Sequence, residues 1–129
     1  MYFDVKKMPD APVVIGSWYE GFKFVEHGAQ YGQEANAILD EQQDPVFYVI
    51  DMSQLITISI EGIVEVAHTG AKVLTSSHRH PMNRETILVS NKSIVKLAVK
   101  GMASAAFGYM NIRLFETLEE AQDYIKNNS

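Results

Sequence analysis

The sequence predicts an α/β fold: a mixed, mostly parallel sheet of about five strands, opened by an antiparallel N-terminal hairpin and accompanied by about four helices. Three observations carry this reading. Hydrophobic residues switch repeatedly between short apolar or alternating runs and a helical period. Residues 46–50 (VFYVI) form a continuous run of β-branched and aromatic side chains, which suits a central strand covered on both faces. Strands that alternate with helices need right-handed crossovers, which make neighbouring strands parallel.

Taken in order, residues 2–7 (YFDVKK) alternate weakly and suit an edge strand. Pro9, Asp10 and Pro12 mark a turn. A second strand runs from Val13 to about Tyr19, and the short connection makes the pair an antiparallel hairpin. Gly16 within it marks a bulge or a close backbone approach. Trp18 is placed at the edge of the core. From Gly21 the period becomes helical. Phe24, Gly28, Tyr31, Ala35 and Ile38 share one face, widened by Leu39, while Glu26, Gln30, Gln33, Glu34, Asp40 and Glu41 fall in solvent. Gly28 and Gly32 each lower helix propensity by about 1 kcal/mol; small residues there let the helix approach a sheet closely. Asp44-Pro45 ends the segment.

After the central strand, a helix is expected from about residue 60 to 75. Ile60, Ile63, Val64, Ala67, Ala71 and Leu74 share its inner face. Ser59 is its natural N-cap, and Glu61 suits the positive end of its dipole. The helix frays at residues 76–81. Residues 86–90 (TILVS) form another buried strand. Asn91 then caps a helix with Ile94, Val95, Ala98, Val99 and Met102 inside. Residues 101–108 read as its end and a turn, and residues 112–115 as the last strand. Thr117 and Glu120 form a capping box. The helix it opens reaches about Asn127 and buries Leu118, Ala121 and Ile125.

The 129 residues suit one domain, 1–129. Net charge is −5 and Lys and Arg are not clustered, which disfavours nucleic acid as a partner. Without cysteine there is no disulfide, thiol catalysis or thiolate metal site. No basic n-region with an apolar h-region opens the chain, and no apolar run approaches ~18 residues. The expectation is a cytoplasmic protein without membrane insertion.

Candidate functional residues gather where the central strand meets the next helix. Asp51, Ser53, Thr57, Ser59 and Glu61 fall within eleven residues, at the carboxyl end of a strand where open α/β sheets bind ligands. Asp51 either contacts a ligand or accepts amide hydrogen bonds that fix the loop. Ser53, Thr57 and Ser59 either cap and turn the chain or line an anion site, which the charge of Glu61 opposes. His78-Arg79-His80 follows a helix, at the opposite end of the sheet, where cations suit the helix dipole. Two histidines without a carboxylate make a poor metal site, so no metal is expected. His27 and His68 have no evident partner. There is no G-x-S-x-G, Walker A loop or G-x-G-x-x-G, and no cofactor is expected.

The order of elements, Asp51-Met52-Ser53 at the end of the central strand, Ser59-Ile60-Glu61-Gly62 at the start of the next helix, and residues 115–121 (FETLEEA) resemble the STAS family, the SpoIIAA-like domain of anti-sigma-factor antagonists. The resemblance spans roughly residues 12–126. In the antagonists a partner kinase phosphorylates the serine just before the motif's glycine. Here Glu61 holds that position, ahead of Gly62, and Ser59 replaces the motif's leading Asp. A phosphate carries about −1.5 to −2 charge, so one carboxylate imitates it only in part. The resemblance therefore implies a non-enzymatic regulatory or protein-interaction module without the usual phospho-switch serine. Asp51, Ser53, Thr57, Ser59, Glu61 and Gly62 would form its partner- or ligand-binding surface, and its partner would be kinase-like or sigma-regulatory by analogy. The alternative is a small-ligand protein, binding a nucleotide or lipid in a pocket at the carboxyl ends of the strands. A hydrolase pairing Asp51 with His27 or His68 is the third reading. Self-association as a homodimer is expected to cover the sheet's second face, unless the hairpin aromatics Tyr2, Phe3, Trp18 and Tyr19 cover it within the chain.

Overall fold

The proline-bounded turn folds the first strand back on the second. In a computed structural model, which describes residues 2–55, 76–102 and 112–129, β1 (Phe3–Lys7) pairs antiparallel with β2 (Val13–Trp18). The turn is braced by its own backbone and by Lys7, whose Nζ donates to the carbonyls of Met8 and Ala11, both at 2.7 Å. Three further strands, β3 (Val46–Asp51), β4 (Asn83–Val89) and β5 (Arg113–Phe115), continue the sheet in the order β1-β2-β3-β4-β5. From β2 onward every neighbouring pair is parallel. The helices are α1 (Phe24–Asp40), α2 (Ser93–Met102) and α3 (Leu118–Asn128); residues 76–78 are also helical. The helix expected over 60–75 and the stretch after Met102 up to residue 111 lie outside the described residues. The mixed, mostly parallel five-stranded α/β architecture is the one the sequence predicts.

Because spatial order follows chain order, right-handed crossovers put successive helices on one face. Val14, Tyr48, Ile50 and Leu88 of the sheet accordingly meet Tyr31 and Leu39 of α1 and Val95 of α2 in one core. The alternate residues Ile15, Phe47, Val49, Ile87 and Val89 face the other way, toward Ala121 and Ile125 of α3. All six residues of β3 are buried, which accounts for the unbroken apolar run of the first five.

Tyr31 shapes the first face. Its ring lies directly over Gly16, where an added Cβ would stand 2.1 Å from the hydroxyl. Gly16 is therefore a close approach and not a bulge. Gly28 plays a different part from the one its spacing suggested: a Cβ there would meet the ring of Phe24 at 2.8 Å, so the glycine makes room for a side chain of its own helix. Trp18 belongs to the interior, 5% exposed. It stacks on Phe22 at 4.4 Å and meets Tyr31 edge-on at 5.5 Å. Phe3 joins the same cluster, and Tyr2 stacks on His27 at 4.3 Å. These hairpin aromatics thus pack toward α1, and the sheet's second face is packed by α3 instead.

Two boundaries differ from the sequence reading. β4 begins at Asn83, three residues before Thr86. Asn83 is held there by tertiary bonds: its Nδ2 donates to the carbonyls of Ser77 and His78 and to the Thr86 hydroxyl. Asn91 does not cap α2. The Lys92 carbonyl receives the first helical amides, from Val95 and Lys96, and Ser90 Oγ accepts from the Lys92 amide. At α3 the expected cap forms: the Glu120 amide donates to Thr117 Oγ1 at 3.2 Å. The Glu120 carboxylate accepts from the Thr117 hydroxyl, where the capping-box reading had it return to the Thr117 amide.

Candidate functional site

Asp51 closes β3 at its carboxyl end. It is 6% exposed, and its Oδ1 accepts the Ser53 amide at 2.9 Å. This local loop closes the turn as short Asp side chains do. Met52 donates its amide to the Val89 carbonyl, and Met52 and Leu55 are packed into the first core. Ser53 and Gln54 are left exposed between them. Asp51 and Ser53 are therefore brought together as expected, with the carboxylate fixing the turn. Thr57, Ser59, Glu61 and Gly62 lie outside the described residues, as does His68.

Next to this turn, across the β3–β4 ladder, stands α2. Val95 anchors it in the core, with Ile94 and Val99 packed alongside. Its exposed lysines are Lys96 and Lys100, four residues apart and so aligned along the helix, with the half-buried Lys92 just before its first residue. Leu97 projects beside them and is 68% exposed. α2 contains no acidic residue. Lys96 reaches Glu116 at 3.1 Å, while Lys92 and Lys100 make no ion pair among the described residues. The sequence carried this signal in its Lys spacing around Leu97, and the parallel pairing of Asp51 with Val89 brings the start of α2 near the Asp51 turn.

The histidine cluster lies at the other end of the sheet and serves the fold. His78 Nδ1 shares a hydrogen bond with Thr86 Oγ1 at 2.8 Å. His80 Nε2 meets Asp40 at 2.6 Å, and its Nδ1 accepts the Met82 amide. Burial, and then the charge of Arg79, hold the His78 imidazole below its ordinary pKa. His27 is engaged too: its Nδ1 accepts the Lys23 amide at the start of α1. Tyr31 and Tyr48 share a buried hydroxyl–hydroxyl bond at 2.5 Å. Burial is the first cause that raises both phenols well above the usual tyrosine range. No group of three or more His, Cys, Asp or Glu converges among the described residues, and none of their helices is long and apolar enough to cross a membrane.

One cavity stands apart from the carboxyl ends of the strands. A cleft of about 400 Å³ opens on the second face, between α3 and the turn that joins β1 to β2. Val13, Ile15 and Val49 form its floor. Sequence reasoning missed it because its walls come from opposite ends of the chain.

Among the described residues, five sequential strands with an antiparallel first pair, α1 and α2 on one face and α3 on the other define a mixed, mostly parallel α/β fold. No family model matches the chain, and no curated protein matches it. Among solved structures it is similar to an uncharacterized protein of the DUF3478 family with a SpoIIAA-like fold, from Shewanella loihica PV-4. The TM-score is 0.56 at 12% identity, covering 95% of this chain and 91% of that chain. The chain thus has the SpoIIAA-like fold to which its strand-end motifs pointed.

Proposed function

We propose that the protein is a non-enzymatic interaction module that docks an acidic segment of a regulatory protein partner on α2 and the neighbouring Asp51 turn. The observation that supports this is Leu97, 68% exposed on a helix whose outward charges are all lysines. Covering this apolar side chain with a partner removes it from water, which favours docking there. The lysines add attraction for an acidic segment and steer its approach. In a chain of net charge −5 this basic face is a local inversion. Asp51 contributes by holding Ser53 and Gln54 outward in a fixed turn. The antagonists whose fold this chain shares suggest a sigma-regulatory or kinase-like partner by analogy alone.

Titration of the isotope-labelled protein with a glutamate-rich peptide carrying one leucine tests the proposal. Amide shifts are expected at residues 93–100 and at Ser53, with affinity falling as salt rises. Leu97→Asp is expected to weaken binding by about tenfold or more. Shifts confined to other surfaces overturn the reading, as does binding to phosphatidylserine vesicles with none to the peptide.

A further inference from the structure

The cleft on the second face lies apart from the α2 surface and carries an inference of its own. Its floor is apolar: Val13 and Ile15 of β2 and Val49 of β3. One wall is the Met8–Pro12 turn and the other is α3, through Leu118, Ala121 and Ile125. Both walls are fixed independently of each other. The turn is tied by the Lys7 ammonium, by the Met8 amide donating to the Val13 carbonyl and the Val13 amide to the Ala11 carbonyl, and by the Phe47 amide donating to the Pro12 carbonyl. α3 is tied to β4 by Arg84, which donates to the Asn128 carbonyl at 2.6 Å, and by the Tyr124 hydroxyl on Glu85 at 2.6 Å. With neither wall able to slide, the gap between them stays open. Protein interiors otherwise close such gaps, because unfilled apolar walls forgo dispersion contacts.

The volume falls in the range of small-molecule sites, roughly 300–1,000 Å³, and is too small for a helix or strand of a partner. The rim is polar. Gln122 and Lys126 stand one turn apart on α3, and Asp10 stands on the opposite wall. No hydrogen bond or ion pair of the Gln122 and Lys126 side chains is made among the described residues, so α3 offers an amide and an ammonium together at one edge. We infer that this cleft binds a small anionic amphiphile, its apolar body over Val13, Ile15 and Val49 and its charged group at Lys126 and Gln122. The Lys126 ammonium, with Gln122 and Ser129 beside it on the α3 side, sets the preference for an anionic group there, across the cleft from the Asp10 carboxylate.

Dodecanoate, used below its micellar concentration, is the probe. Titrated into the labelled protein, it is expected to shift the amides of Val13, Ile15, Val49, Ala121 and Ile125 at saturating amounts. Ala11→Trp, which fills the cleft from the braced turn, is expected to reduce affinity by about tenfold or more, as loss of a buried apolar body requires. Lys126→Gln is expected to weaken dodecanoate by a few-fold and dodecanol not at all, in keeping with an exposed ion pair. Leu97→Asp leaves dodecanoate binding unchanged, which separates this site from the α2 surface. Unchanged affinity in a folded Ala11→Trp variant overturns the inference. So does the absence of shifts around the cleft, or equal loss of dodecanol and dodecanoate on Lys126→Gln.

Discussion

Replacing Gly16 by alanine tests the packing on which the first core depends. The backbone itself tolerates the change, since Gly21 is the described glycine with positive φ. Ala would even gain about 0.4–1 kcal/mol by stiffening the unfolded chain. Against this, the new methyl stands 2.1 Å from the Tyr31 hydroxyl and 2.7 Å from its ring. The ring cannot swing aside, because Phe3, Trp18 and Phe22 enclose it with centroids 5.5–6.2 Å away. Overpacking of this kind costs about 1–3 kcal/mol. Displacing Tyr31 also separates its hydroxyl from that of Tyr48, leaving two buried groups unpaired at about 1–3 kcal/mol. The net expectation is a loss of about 3 kcal/mol, which for a domain of this size lowers Tm by roughly 10 °C. Urea unfolding followed by tryptophan fluorescence measures it, Trp18 being the only tryptophan and part of the cluster. Adding Tyr31→Phe to Gly16→Ala removes the nearest atom and is expected to recover about 1 kcal/mol of coupling. A Gly16→Ala protein within about 0.5 kcal/mol of the parent refutes the close approach.

Gly101 provides the opposite case: it is helical and a Cβ there meets nothing within 4 Å, so Gly101→Ala is expected to stabilise by about 0.5–1 kcal/mol in the same urea assay. Thr117→Ala removes the cap of α3 and should lower stability by about 1 kcal/mol, with thermal unfolding as the check. His78 is held neutral in the fold by burial and by Arg79. The unfolded chain therefore takes up the proton first as pH falls through ~6.5. Stability is complete above that pH, declines below it, and levels off once the folded pKa is passed; His78→Gln should flatten that slope in urea midpoints measured from pH 7.5 to 5. Tyr31 and Tyr48 have folded pKa values raised by burial. Above pH ~10 the unfolded chain loses protons that the fold retains, so stability falls with rising pH. Tyrosinate absorbance should show two of the six tyrosines ionising only as the protein unfolds.

How much of this was legible in the sequence depended on whether the cause was local. The buried run of β3, the inner face of α1 and the Thr117 cap each follow from neighbours within a few residues, and each is where the pattern put it. Gly16 announced either a bulge or a close approach, and the pattern could not choose because its partner Tyr31 sits on another element. Asn83 reads as a loop residue because its bonds to Ser77, His78 and Thr86 exist only in the fold. Of the candidate site, the turn at Asp51 and Ser53 was readable from strand-end chemistry. That α2 starts near this turn is not legible in the sequence, because it follows from the parallel register of β3 and β4.

The cleft follows from the topology. Sequential parallel strands send their right-handed crossovers to one face, so among the described residues the second face receives what comes after the last crossover. That is α3, which starts two residues beyond β5 and must therefore lie over the β4–β5 side, where Arg84, Glu85 and Arg113 hold it. At the far edge, β1 presents Asp4 and Lys6 to this face, paired with Ser17 and Ile15, and needs no cover there. Between the two remain Val13, Ile15 and Val49, apolar and beyond the full reach of α3. The Met8–Pro12 turn folds toward them from the side without closing the gap. A substitution that widens α3 at Gln122, on the cleft side of the helix, is therefore expected to close the cleft without disturbing β4. Gln122→Trp should raise stability slightly by covering β2, by about 1 kcal/mol or less, while weakening dodecanoate binding by about tenfold or more. A Gln122→Trp protein that gains no stability and binds dodecanoate unchanged would show that the cleft is not the gap this topology leaves.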